Sequence, residues 1–151
     1  MIVTGLLFML LAQGFKIQEM RDSFLKKGYC LVDNCLTLEQ CQELLMLIEH
    51  YSTSHKVPKV YRQTGERSLC YFVIDGRQIE RHLPTIDLLY QEFNTIVNQV
   101  SDRKLALLEN KRVGVNINLL QKGGEYRWHY DRNEVTVVLY LNQVQGGNIE
   151  F

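Results

Sequence analysis

The chain has 151 residues, 46% of them hydrophobic and 23% charged, and 17 Lys plus Arg balance 17 Asp plus Glu. That length fits one domain with room for a core. Zero net charge, with no basic tract and no acidic tail, argues against a nucleic-acid binder or a protein held on an anionic membrane.

Residues 1–12 form an apolar run that is too short to span a bilayer as a helix. The run is like the apolar part of a signal peptide but has no positive charge before it. A buried first helix or a misassigned start codon therefore stands beside secretion as a reading. Residues 18–27 read as a helix that stops at Gly28, and residues 29–32 as a strand. Thr37 is placed to cap the next helix, with Gln40 completing a capping box. Leu38, Cys41, Leu44, Leu45 and Ile48 then give one apolar stripe. His50 and His55 fall at and after the end of that helix, where they are solvated or cap its last turn.

Residues 55–67 are polar and read as a loop. Its Lys56, Lys59, Arg62 and Arg67 are either solvated or contact an acidic substrate. Residues 69–74 read as a strand closed by an Asp75-Gly76 turn. Residues 84–100 predict a second long helix, with Ile86, Leu89, Tyr90, Phe93, Ile96, Val97 and Val100 on one side. Residues 105–108 are short and apolar and predict no particular state.

The rest of the chain alternates with the period of a strand. In residues 113–120, Val113, Val115, Ile117 and Leu119 share one face, while Gly114, Asn116, Asn118 and Leu120 share the other. In residues 135–142, Val135, Val137, Leu139 and Leu141 form an apolar face. Thr136, Val138, Tyr140 and Asn142 form a mostly polar one, as in a barrel wall that encloses a ligand. Gly123-Gly124 and Gly146-Gly147 supply turns that need positive φ. Between the runs lies His129-x-Asp131. Residues two apart on a strand point the same way, so this pair aims an imidazole and a carboxylate into one pocket. A third ligand would complete the two-His, one-carboxylate face of non-haem iron oxygenases. Alone, the pair is weak evidence, and the ordinary reading of His129 is a hydrogen-bonded strand histidine.

Taken together, Gly123, Tyr126, His129, Asp131, Thr136, Tyr140-Leu141-Asn142 and Gly146-Gly147 resemble the core of the Fe(II)/2-oxoglutarate-dependent dioxygenase superfamily. The likeness is nearest to its prolyl 4-hydroxylase-like branch. The opening around Gly28-Tyr29 and Leu36-Thr37 is similar to the same superfamily. The resemblance implies a single α+β domain over residues 1–151: helices buttressing a double-stranded β-helix (jelly roll), whose first half is residues 113–151. It implies that His129 and Asp131 are metal ligands, with no catalytic residue beyond the metal ligands. It also implies that Tyr140 binds the distal carboxylate of 2-oxoglutarate, with Thr136 and, more weakly, Asn118 lining the pocket. The cofactors implied are Fe(II) and the cosubstrate 2-oxoglutarate, with ascorbate as an optional accessory. A retained Asp131 favours hydroxylation over halogenation. Trp128 and Tyr130 fall on the opposite face and read as packing.

The superfamily's distal His and its 2-oxoglutarate-binding basic residue lie on later strands, and His50, His55 and His82 match neither. The jelly roll is therefore expected to be incomplete at its carboxyl end, and the chain to be a fragment of a longer dioxygenase. The substrate is a peptidyl proline, an amino acid or another small molecule. A catalytically inactive relative and a cupin-like binding module on the same barrel are the alternatives. Cys30, Cys35, Cys41 and Cys70 form no Cys-x-x-Cys pair. They read as reduced thiols in a reducing compartment, the cytoplasm, of a protein without a membrane span.

Overall fold

Ile74 and Ile79, 1% and 0% exposed, lie at the junction between a strand and the helix that follows it, and the core gathers around them. The computed structural model describes residues 16–64, 67–124, 131 and 133–143. Helix α1 spans Ile17–Lys27. It stops where Gly28 takes a left-handed φ of 81° and donates its N–H to the Phe24 carbonyl at 2.8 Å. That conformation costs glycine nothing because it has no Cβ.

Helix α2 spans Leu38–Ser54 and begins with a reciprocal cap. The Gln40 N–H donates to Thr37 Oγ1 at 3.2 Å, and the Thr37 N–H donates to Gln40 Oε1 at 2.8 Å. Two otherwise orphaned donors are thereby satisfied. Leu44, Ile48 and Tyr51 bury one face in the core, while Leu38 is 70% exposed and lies outside that stripe.

Strands β1 (Lys59–Thr64) and β2 (Arg67–Asp75) make an antiparallel hairpin, with Lys59 opposite Phe72 and Thr64 opposite Arg67. Helix α3 (Gly76–His82) follows β2 without a loop. The Asp75 carboxylate closes that junction by accepting from the Arg77 and Gln78 N–H groups, each at 3.1 Å. A Cβ on Gly76 would collide with the Lys111 carbonyl oxygen, so only glycine allows this close approach. Helix α4 (Pro84–Ser101) starts on proline, whose missing N–H costs nothing in a first turn. It buries Ile86, Leu89 and Val100 and lies against α1 and α3. The Asn98 side chain then holds the following loop, accepting from the Leu105 N–H at 2.6 Å and donating to its carbonyl at 3.2 Å. A single helical turn, α5 (Lys111–Gly114), leads into β3 (Asn116–Leu119). β3 pairs antiparallel with β2, Phe72 opposite Leu119 and Asp75 opposite Asn116, which completes the sheet order β1-β2-β3. Among the described residues, no helix is long and apolar enough to cross a membrane.

The expected jelly roll is not present among the described residues: the sheet has three antiparallel strands, with helices supplying the other elements. Within residues 113–120 only Asn116–Leu119 is strand, because the Asn110 side chain accepts the Arg112 N–H at 3.2 Å and starts a helical turn instead. Residues 133–143 contain no strand, although their composition suits one. A strand exists through the ladder it makes with a neighbour, and this segment has none among the described residues. Residues 29–32 are likewise not a strand, and the loop expected at residues 55–67 contains β1.

Candidate functional site

The turn that leads to the His-x-Asp motif is built by glycine. The Gly124 N–H donates to the Gln121 carbonyl at 2.7 Å, and Gly123 sits at φ 80°. Positive φ at the third position is what a type II turn demands. Gly124 is needed for a different reason: a Cβ there would lie 2.8 Å from the Cys70 carbonyl oxygen. The turn is therefore pressed against β2, and a small cleft of about 70 Å³ between them is lined by Cys70, Phe72, Gln121 and Lys122.

His129 lies outside the described residues, as do Tyr126, Trp128, Tyr130 and the Gly146-Gly147 pair. Asp131 is described and exposed. Beyond it, Arg103 donates to the Glu134 carboxylate at 3.1 Å, across an exposed ion pair that ties residues 133–143 to the loop after α4. Such an exposed pair contributes little energy in water. Leu139 and Leu141 then pack against the core. Thr136, Val138, Tyr140 and Asn142 are all exposed, with Tyr140 at 60%. From Val138 to Asn142 the two-residue period survives without a ladder: Leu139 and Leu141 pack inward and Tyr140 between them is exposed. Val137, expected on the apolar face, is also exposed. Asn116 and Asn118 are exposed on β3, while Ile117 and Leu119 pack inward.

Of the remaining histidines, His50 is an exposed residue of α2, and His55 and His82 lie beside Tyr51. Among the described residues, no three His, Cys, Asp or Glu side chains form a group that could hold a metal ion. All four cysteines are free and half-buried. Burial pushes the Cys30 thiol up, and burial and the neighbouring Cys41 do the same for Cys35. These two stay protonated and are poor nucleophiles.

Two features went unread in the sequence. One is an open cavity of about 640 Å³ lined by Arg77, Gln78, Arg81, Glu109 and Lys111. Its signal was the four-residue spacing of Arg77 and Arg81, which puts both guanidinium groups on one side of α3. Lys111 there faces Glu80 at 3.4 Å and the largely buried Asp87 at 3.9 Å. The other is a cluster of rings from three helix-end positions. Tyr51 and His55 stack at 4.3 Å between centroids with planes 8° apart. His82 closes the cluster at 5.5 Å from Tyr51 and 4.6 Å from His55. The Tyr51 hydroxyl donates to Gln78 Oε1 at 2.8 Å, which links α2 to α3. Tyr51 and His55 were readable as an i, i+4 pair; His82 was not, because the hairpin and α3 separate it from α2.

Compared with known proteins, the sequence matches no family model and no curated protein, and the structure matches no solved one.

Proposed function

We propose that residues 118–140 carry part of the metal and cosubstrate site of an Fe(II)/2-oxoglutarate-dependent dioxygenase of the prolyl 4-hydroxylase-like branch, acting on a small-molecule or peptide substrate. The observation that supports this reading is the exposure of both Thr136 and Tyr140 while Leu139 and Leu141 anchor the segment to the core. Both exposed hydroxyls are hydrogen-bond donors of the kind that a carboxylate accepts from.

The donor chemistry fits the metal: an imidazole and a carboxylate two residues apart suit Fe(II) and leave open positions opposite. His129 and the exposed Asp131 would hold it. When bound, iron with 2-oxoglutarate and O2 would supply hydroxylation of a substrate C–H bond, one oxygen atom going to the substrate and the other to the succinate formed with loss of CO2. This chain's part is positional. The Asp131 carboxylate offers a hard oxygen ligand, Tyr140 donates its O–H to the distal cosubstrate carboxylate, and Thr136 offers a second donor beside it. Asn118 presents an amide from β3. The same reading places the protein in the reducing cytoplasm, in keeping with its four free thiols.

The test is an anaerobic titration with Fe(II) and 2-oxoglutarate of these 151 residues and of a form extended along the natural reading frame, following the visible charge-transfer absorption of the chelated cosubstrate. We expect saturable binding by the extended form that His129→Ala and Asp131→Ala each abolish. Absence of binding by the extended form, or binding that survives both substitutions, overturns the dioxygenase reading.

A further inference from the structure

The ring cluster at the ends of α2 and α3 has a defined proton arrangement. His55 Nδ1 lies 2.9 Å from Ser54 Oγ and 3.2 Å from the Tyr51 carbonyl oxygen. A carbonyl can only accept. The Ser54 hydroxyl has carbonyl acceptors of its own, His50 at 2.8 Å and Tyr51 at 3.2 Å, so it is free to offer His55 a lone pair. The Tyr51 carbonyl, which can only accept, therefore favours the tautomer with the hydrogen on Nδ1. In the neutral ring this leaves Nε2 with its lone pair, the tautomer that a metal-binding histidine takes when its other nitrogen donates to a backbone carbonyl. The 4.3 Å stack on buried Tyr51 fixes the plane of the ring.

His82 brings a second imidazole to the same place, its centroid 4.6 Å from that of His55. With a metal–nitrogen bond of about 2.05 Å, an ion sits about 3.2 Å from each ring centroid, so two ligands at a right angle hold their centroids about 4.5 Å apart. Tetrahedral ligands would be spread to about 5.2 Å by the same arithmetic. The spacing therefore fits neighbouring positions of an octahedral or square ion. Both histidines are exposed, so an ion can reach them and water can fill its other positions.

We propose that His55 and His82 form a two-imidazole site for a late first-row transition ion of the Ni2+ or Cu2+ class, built from residues other than the His129–Asp131 pair. The bound ion ties the end of α2 to the end of α3, across the hairpin that separates them in the chain.

Ni2+ alone is the probe, added to the untagged full chain carrying His129→Ala and Asp131→Ala, so that the outcome does not depend on the dioxygenase reading. The paramagnetic ion should broaden the imidazole Hε1 resonances of His55 and His82 together, at concentrations that leave exposed His50 sharp. His55→Gln and His82→Gln should each weaken Ni2+ binding by about tenfold or more, because each removes one arm of a chelate. If His50 broadens at the same concentrations, the pair is no better than a solitary surface histidine and the proposal falls. Retention of affinity within about twofold in either Gln variant overturns it equally, since a chelate cannot survive loss of an arm. The broadening pattern is read without substituting either histidine, so it decides the matter even if a Gln variant folds poorly.

Discussion

Strand β2 and residues 133–143 set apolar side chains against one core, yet they are held by different forces. β2 is hydrogen-bonded to β1 on one side and β3 on the other, and its last residue but one is the fully buried Ile74. Residues 133–143 join the core through Leu139 and Leu141 and a surface ion pair, with no ladder among the described residues. Burial alone can impose a two-residue alternation of faces, but it does not satisfy the backbone. A segment held in that way can present side chains without adding rigidity to the sheet. Stability should therefore reside in residues 36–119 and ligand recognition in the segment beyond them.

The sharpest break in that contrast is Ile79→Ala, which empties the centre of the core. It should cost about 3 kcal/mol in urea unfolding, and a loss below about 1 kcal/mol would show that the core is centred elsewhere. Gly76→Ala comes next. Its Cβ meets the Lys111 backbone rather than a side chain that can move away, so about 2 kcal/mol should be lost through displacement of α5. Leu139→Ala, on the segment beyond the sheet, should cost only about 1 kcal/mol, since the residue is half-buried. A loss equal to that of Ile79→Ala would place this segment in the folding core and remove the distinction.

A smaller effect concerns pH. Glu92 Oε2 is buried with no hydrogen-bond partner among the described residues, and burial raises the carboxyl above its usual 4.5. The folded state then binds the proton more tightly than the unfolded chain. Its contribution to stability is complete below pH 4.5 and is lost as pH rises through the folded value. Glu92→Gln should flatten the stability–pH curve over that window, and an unchanged slope would show that the carboxylate reaches water. Smallest on stability are Thr136→Val and Tyr140→Phe, both at exposed positions. Each should change unfolding free energy by less than about 0.5 kcal/mol. Each should nevertheless weaken 2-oxoglutarate binding by about tenfold, the share of one hydrogen bond to a charged group. If stability falls and cosubstrate affinity does not, their role is in folding.

What could be read from the sequence was what local chemistry determines. Thr37 with Gln40, Gly28 after α1 and the stripe of α4 are signals complete within one or two turns, and the structure reproduces each. β1 was hidden because Lys59–Thr64 is largely polar and becomes a strand only by pairing with β2. Residues 113–120 misled through their alternation, while Asn110, a good capping residue, already marked the helical turn that precedes β3. The inward side of residues 139–141 was legible, because Leu139 and Leu141 needed only an apolar surface to bury against, whereas Val137, expected on the same face, is exposed. Their pairing was not, since a ladder depends on a distant partner. The candidate site divides in the same way: its donors stand in the sequence, but their convergence depends on long-range contacts, as does the meeting of His55 with His82.

The place of β3 in the sheet has a consequence for the time course of folding. β1 and β2 are neighbours in the chain and can zip as a hairpin within microseconds. β3 reaches β2 only across about forty intervening residues, which include α3 and α4, and contacts of such separation are slow to form. The amides shared by β2 and β3 should therefore gain protection after those of the hairpin, so the sheet closes in two stages. The turn at Gly123-Gly124 is pressed on β2 just beyond β3, so the chain leading to His129 can be positioned only once the second stage is complete.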